Sequence, residues 1–234
     1  MTKQAVFPYA ILPSGGALPP DLTGLRGAAV LSVAAGDLTA LASDLAPFEP
    51  GRDDLLAHHR VVEAACDAGP ALPVRFGTRF PDARALAGSL QARHVSLAAA
   101  LQRIGRRREI AISLEWLDAP ALPPESTRDR EEGPGRRFLE QRALLIALED
   151  RRRARAEALA QPVVDALAAA GVDRADAKLR IVPAARVALS CAVLTDAVQA
   201  GDVMRRVRET SAGWVDVRLH LAGPWPPYSF SEPG

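Results

Sequence analysis

The chain has few cysteines and few aromatic residues, and it lacks a long apolar run. Cys66 and Cys191 lie far apart without a CxxC motif or a Cys/His spacing, so we expect two buried, reduced thiols. Aromatic residues make up only 5% of the sequence, so aliphatic side chains must fill the core. No apolar stretch approaches the roughly 18 residues that span a bilayer, and residues 1–6 do not resemble a signal peptide. We therefore expect a cytoplasmic protein without a membrane partner.

The chain also lacks a large net charge of one sign, because its 29 basic and 28 acidic residues give a net charge of +1. Such a balance creates no global field for a polyanion, so nucleic acid is not an expected partner. The densest basic runs, residues 106–108 and 151–153, lie beside Glu109 and Glu149. We interpret both runs as solvated, ion-paired surfaces.

Hydrophobic periodicity predicts an α+β fold for the first half of the chain. Residues 5–12 and 28–33 are strand-like, and the alternation over residues 109–117 is the clearest strand pattern in the sequence. Leucines at helical spacing predict a short helix over residues 37–45. Two longer helices are predicted over residues 53–66 and from Pro81 to Gly105.

The second half repeats this coarse plan after a polar segment, residues 119–135, that we interpret as a flexible linker. We predict two α+β domains, residues 1–118 and 136–234, each with a small antiparallel, ferredoxin-like sheet backed by helices. The predicted elements of the second domain are a long helix over residues 136–170 that Pro162 kinks or divides, a strand hairpin over 178–182 and 186–194, a helix over 196–211 and a strand over 215–221.

The catalytic and metal-binding motifs that the sequence offers are incomplete. His59 and Glu63 lie four residues apart on one predicted helix, but a catalytic zinc needs a third protein ligand that no other histidine spacing supplies. Of His58 and His59, we expect one to be partly buried and hydrogen-bonded and the other solvated. No GxSxG, P-loop or GxGxxG motif occurs. We predict no cofactor, no metal and no enzymatic activity.

Residues 72–78, Leu-Pro-Val-Arg-Phe-Gly-Thr, form an unusual stretch because Pro73, Arg75 and Gly77 interrupt an apolar run around Phe76. If the run is buried, Arg75 must be paired or must face a partner. Two interpretations stay open, a structural ion pair with Glu63 and a docking role.

The C-terminal sequence Gly-Pro-Trp-Pro-Pro-Tyr-Ser-Phe is equally distinctive. Its prolines favour an extended path, and Trp225, Tyr228 and Phe230 are large anchors beside Pro226. This segment either clamps onto its own domain or lies in an interface with a partner.

Five motifs together resemble the gas vesicle protein L/F family, and they occur in the expected order across nearly the whole chain. The most specific are Arg-Phe-Gly-Thr at 75–78 and Gly-Pro-Trp-Pro-Pro-Tyr at 223–228. The others are His-Arg-Val-Val-Glu at 59–63, Glu-Ile-Ala-Ile-Ser-Leu-Glu-Trp at 109–116 and Gly-Pro-Gly-Arg-Arg-Phe-Leu-Glu-Gln-Arg at 133–142.

The resemblance implies a non-enzymatic accessory or minor structural protein of gas vesicles that helps the small hydrophobic shell protein to assemble. The implied partners are that shell protein and other gas vesicle accessory proteins. The alternative is a small-molecule-binding or enzymatic α+β protein that uses a pocket formed by His59, Glu63 and Arg75.

Overall fold

Each half of the chain builds a four-stranded antiparallel sheet backed by helices, as the sequence predicts. The structure is a computed structural model that describes residues 4–16, 22–117, 134–182 and 186–231. Two compact units are present: Met1–Glu109 together with Pro224–Gly234, and Ile110–Gly223. The sequence-based domains were residues 1–118 and 136–234. The structure instead places residues 110–117 in the second unit and residues 224–234 in the first. Most of the predicted linker lies outside the described residues.

The first unit contains a sheet in the order β2-β3-β1-β4. A short 3-10 turn, Leu25–Gly27, lies in the connection between β1 and β2. The elements are β1 (Ala5–Pro13), β2 (Leu31–Ala35), β3 (Leu38–Leu45), α1 (Arg52–Ala68), β4 (Leu72–Pro73), α2 (Ala83–Ala92) and α3 (His94–Ile104).

The helix predicted over residues 37–45 is wrong, because this segment is strand β3. Gly36, with φ of 68°, and Asp37 form a two-residue turn that pairs Ala35 with Leu38 in a β2–β3 hairpin. Strand β3 also pairs with β1 on its other side, and residues 40–43 are all buried. A strand buried on both faces has no apolar–polar alternation, so its leucine spacing resembled a helix.

The single helix predicted to end at Gly105 is two helices, α2 and α3. Arg93 separates them with φ of −109° and ψ of 13°, outside the helical range. The predicted start is confirmed, because Asp82 caps α2 by accepting a hydrogen bond from the Ala85 amide at 2.7 Å.

The second unit has the β-α-β-β-α-β element order and the sheet order β6-β7-β5-β8, which is the ferredoxin-like arrangement. The predicted hairpin is confirmed, with Leu179 opposite Cys191 in the β6–β7 register. The elements are β5 (Arg108–Trp116), α4 (Pro134–Ala169), β6 (Ala177–Ile181), β7 (Val187–Thr195), α5 (Ala197–Ser211) and β8 (Val217–Trp225).

Helix α4 runs through Pro162 without a break, so the predicted division into two helices does not occur. Its second half packs Ala156, Leu159 and Val163 against the sheet. Both cysteines are buried and free, as expected. Burial raises the pKa of Cys66 to about 11 and that of Cys191 to about 12, which keeps both thiols protonated at neutral pH.

Candidate partner-contact site

The C-terminal segment, residues 224–231, is bound to the first unit by a buried carboxylate. Glu109 accepts hydrogen bonds from the Ser229 amide at 2.8 Å and from the Ser229 hydroxyl at 2.7 Å. Arg103 places its guanidinium 5.7 Å from the centre of the Phe230 ring and donates to the Phe230 carbonyl at 3.4 Å. Phe230 is fully buried. These contacts fix the path of the segment, so its remaining side chains have defined positions.

His59 of helix α1 lies against two aromatic rings of this segment. The ring centres of His59 and Trp225 are 5.6 Å apart with an edge-on orientation, and those of His59 and Tyr228 are 6.3 Å apart and stacked. Burial raises the pKa of the Tyr228 phenol, with smaller contributions from Cys66 and Glu63. The structure therefore brings together His59, Trp225 and Tyr228, which sequence reasoning singled out separately.

Two apolar side chains near His59, Trp225 and Leu55, are exposed. Trp225 is 43% exposed and Leu55 is 48% exposed. Leu55 precedes His59 by four residues on α1, so their side chains are neighbours on one flank of the helix. We refer to Leu55, His59 and Trp225 as the aromatic patch. Pro226 and Pro227 are buried directly behind it, which limits the freedom of the Trp225 backbone.

His58 is the buried member of the histidine pair, as expected of one of the two, whereas His59, which was expected to be solvated, is half-buried. Its Nε2 atom lies 2.9 Å from the Val74 carbonyl oxygen and donates to it, since a carbonyl can only accept. The imidazole also packs against the rings of Tyr9 and Phe76, with ring centres 5.3 Å and 5.4 Å apart. Burial lowers the pKa of His58 and so favours the neutral ring.

Residues 72–78 differ from the prediction, because only their first part is buried. Leu72 and Pro73 form β4, whereas Arg75 is exposed. A turn closed by the Thr78 amide on the Arg75 carbonyl, at 3.1 Å, carries the chain out of the core. Gly77 supports this turn with φ of 86°. An exposed guanidinium needs no buried mate, so the predicted reason for an ion pair between Arg75 and Glu63 is removed.

The pocket that the alternative function requires also finds no support in the described residues. Glu63 and Arg75 are exposed side chains. Cavities of about 250 Å³ and 270 Å³ are present in the first unit, and both are lined by other residues. Within the described ranges, no group of three or more His, Cys, Asp or Glu side chains is placed to hold a metal ion.

Sequence reasoning missed the role of Glu109, which it assigned to the surface beside the arginines at 106–108. Glu109 is 8% exposed, and its bonds to Ser229 join residues far apart in the chain. Arg108 instead pairs with Asp67, and Arg106 donates to the Asp67 carbonyl at 3.1 Å. The one available signal was the position of Glu109 at the start of an apolar strand, where a carboxylate requires a partner.

The fold places the chain in a class of two-unit α+β proteins. The structure is similar to a crystal structure of gas vesicle protein GvpF from an Anabaena species, with a TM-score of 0.73, 20% identity and 98% of both chains covered. It is equally similar to gas vesicle protein GvpF from Microcystis aeruginosa, with a TM-score of 0.72, 19% identity, and 97% of this chain and 99% of that one covered.

The family profile described as "Gas vesicle synthesis protein GvpL/GvpF" matches residues 5–232, and the chain belongs to this family. It is also similar to gas vesicle protein L from a Streptomyces species, with 29% identity over 98% of this chain and 94% of the relative. The predicted resemblance is thereby confirmed. This family is not a known enzyme family. Among the described helices, none combines the length and apolar composition that a bilayer crossing requires.

Proposed function

We propose that this chain is a non-enzymatic accessory or minor structural protein of gas vesicles. It acts at gas vesicles in the cytoplasm, binds the hydrophobic shell protein and supports its assembly, together with other gas vesicle accessory proteins. Family membership supports the connection with gas vesicles. The aromatic patch supports the proposed contact with the shell protein.

The observation that carries the proposal is the position of Trp225. A large aromatic side chain that is 43% exposed and packs on His59, which is itself next to exposed Leu55 on α1, is a suitable anchor for an apolar partner. Its backbone is already ordered by the buried prolines and by the bonds between Glu109 and Ser229, so binding costs little further conformational entropy. Phe230 and the prolines fasten the segment to its own unit, while Trp225 remains available to a partner.

Capture of the shell protein from cells that co-express both proteins tests the contact. Trp225→Ala should reduce capture at least about tenfold, as expected for truncation of an aromatic anchor. Val95→Ala is the matched control, because Val95 is 83% exposed on α3 of the same unit. Native circular dichroism of both variants must be shown first. Equal capture by wild type and Trp225→Ala would remove the patch from the contact, and absence of capture by the wild type would reject binding itself.

Two mechanisms are compatible with this contact. A chaperone-like adaptor would cover the apolar surface of the shell protein until that protein joins the growing wall, and it would be absent from washed vesicles. A minor shell constituent would instead use the same patch as a permanent anchor. Quantifying the protein in vesicles before and after a mild wash and after urea stripping separates the two, because a permanent constituent survives the mild wash.

A further inference from the structure

The first half of helix α4 carries apolar side chains that no other described element covers. From Leu139 to Arg151, every side chain that the structure describes is exposed except Leu148, which is half-buried. Leu139, Leu144, Leu145 and Ile146 are 66%, 52%, 43% and 52% exposed. An accumulation of this kind on one short helical stretch is unusual for a surface that faces only water.

The length of α4 explains why these residues are uncovered. At 1.5 Å per residue, its 36 residues extend for about 54 Å, whereas the nine-residue strands of the second unit extend for about 30 Å. Among the side chains of α4 that the structure describes, those that are buried begin at Ala156. The described side chains of the preceding turns are exposed or half-buried, so they belong to no buried core of the described residues.

Exposed Leu145 and half-buried Leu148 continue the line of core-facing positions, whereas Leu139, Leu144 and Ile146 lie at other positions around the helix. Leu145 and Leu148 precede Arg152, Ala156 and Leu159 at spacings of three and four residues, so they lie on the same side of the helix as the buried positions. If the helix is numbered in heptads, Leu145 and Leu148 occupy the a and d positions of one heptad. One such a/d pair offers a short apolar contact to a second helix.

The charges beside this stripe indicate which helix fits. Arg142 and Glu149 are seven residues apart, so they occupy the same flanking heptad position, e. Within the described ranges, neither has an ion-pair partner, so the predicted pairing of Glu149 with the arginines at 151–153 is wrong. In an antiparallel pair, e positions face each other, which brings Arg142 of one copy beside Glu149 of the other. Two-fold symmetry repeats this contact at the opposite end.

From this juxtaposition we propose that residues 139–151 of α4 are a self-association surface, and that a second copy of this chain docks there as an antiparallel helix. The interface is independent of the aromatic patch and does not rest on the proposed binding of the shell protein. One heptad of apolar contact makes a small interface. The dimer should therefore be transient and should dissociate on dilution.

Sedimentation velocity of the full chain between about 1 and 100 µM, the range expected for a small interface, tests the proposal. Leu145→Glu should weaken the dimer at least about tenfold, since it places a charge in the apolar stripe. Val198→Glu introduces the same charge on α5 of the same unit, where Val198 is 94% exposed, and should leave association unchanged. Native circular dichroism of each variant excludes unfolding.

A charge-exchange experiment tests the antiparallel arrangement. Arg142→Glu and Glu149→Arg, each alone, place like charges opposite each other at both ends and should each weaken the dimer severalfold. In an equimolar mixture of the two variants, one copy is acidic at both positions and the other is basic at both. Opposite charges then meet at each end, and the mixture should associate like the wild type.

A monomeric wild type, a dimer insensitive to Leu145→Glu, or a mixture that stays as weak as its components would each overturn the proposal.

Discussion

At the residue scale, Gly24 shows how closely the first unit is packed around a buried tyrosine. The Tyr9 hydroxyl donates to the Ser43 hydroxyl at 2.8 Å and accepts from the Leu25 amide at 2.8 Å. Ser43 donates in turn to the Ala29 carbonyl at 2.8 Å. A Cβ atom on Gly24 would lie 2.1 Å from the Tyr9 oxygen and 2.6 Å from the Ser43 oxygen. Glycine is therefore required here for space, whatever its backbone conformation.

Gly24→Ala should lower the free energy of unfolding by at least about 2 kcal/mol, because the methyl group must displace Tyr9 or Ser43 from buried hydrogen bonds. Urea denaturation followed by circular dichroism measures the change. Gly88→Ala on helix α2 is the control, since nothing lies within 4 Å of its added Cβ. This control should be neutral or stabilising by up to about 1 kcal/mol.

A double variant separates this clash from a backbone effect. In Gly24→Ala/Tyr9→Phe the hydroxyl nearest the new methyl group is absent. The loss should be smaller than the sum of the two single losses. Additive losses would show that the Tyr9 hydroxyl is not what excludes a side chain at Gly24.

At the element scale, one side chain of the first unit, Glu109, accepts both hydrogen bonds from Ser229 of the C-terminal segment. Glu109→Ala removes the acceptor of both bonds from Ser229 and should cost the segment about 2 to 3 kcal/mol of local stability. Hydrogen exchange of residues 228–231 should accelerate while the amides of β1 remain protected. Glu49→Ala, which changes an exposed glutamate of the same unit, should leave both regions unchanged. Unaltered exchange in Glu109→Ala would mean that Phe230 and the prolines hold the segment alone.

Local pattern predicted most elements well, and the exceptions have physical causes. The strands over residues 109–117 and 178–182 alternate because one face of each carries polar side chains, and residues 186–194 stand out as a short apolar run. Strand β3 is buried on both faces over residues 40–43, so it lacks the apolar–polar alternation that would have marked it as a strand. No proline or glycine marks the break between α2 and α3 at Arg93, and the leucine spacing continues across it.

The candidate site was predictable only in its separate parts. Trp225, Tyr228 and His59 stand out by residue type and neighbouring prolines, and His59 was expected on a helix. Their mutual contact, and the bonds between Glu109 and Ser229, join residues from distant parts of the chain. Periodicity and local motifs report on neighbours along the chain, so one sequence contains no signal for such long-range pairs.

At the scale of the whole molecule, acid pH should destabilise both units through paired carboxylates. The bidentate bonds from Arg155, at 2.7 Å and 3.0 Å, hold the pKa of Asp216 below its ordinary value. Hydrogen bonding to His220 lowers the pKa of Glu115, and the pair with His94 lowers that of Asp37. A carboxyl group whose pKa is lowered in the folded state stabilises that state at pH values above its unfolded-state pKa of about 4. This contribution to the free energy of unfolding is lost as the pH falls below that value.

His58 should make the loss begin at a higher pH. Because burial lowers its pKa in the folded state, the unfolded chain binds the proton more readily below about pH 6.5. The free energy of unfolding should therefore fall between pH 7.5 and pH 5, by at most about 1.4 kcal/mol per pH unit for this one proton. Urea denaturation at these two pH values measures the fall. His58→Gln retains an N–H donor for Val74 but does not titrate, so its stability should differ much less between the two. An equal fall in wild type and His58→Gln would assign the effect to groups other than His58.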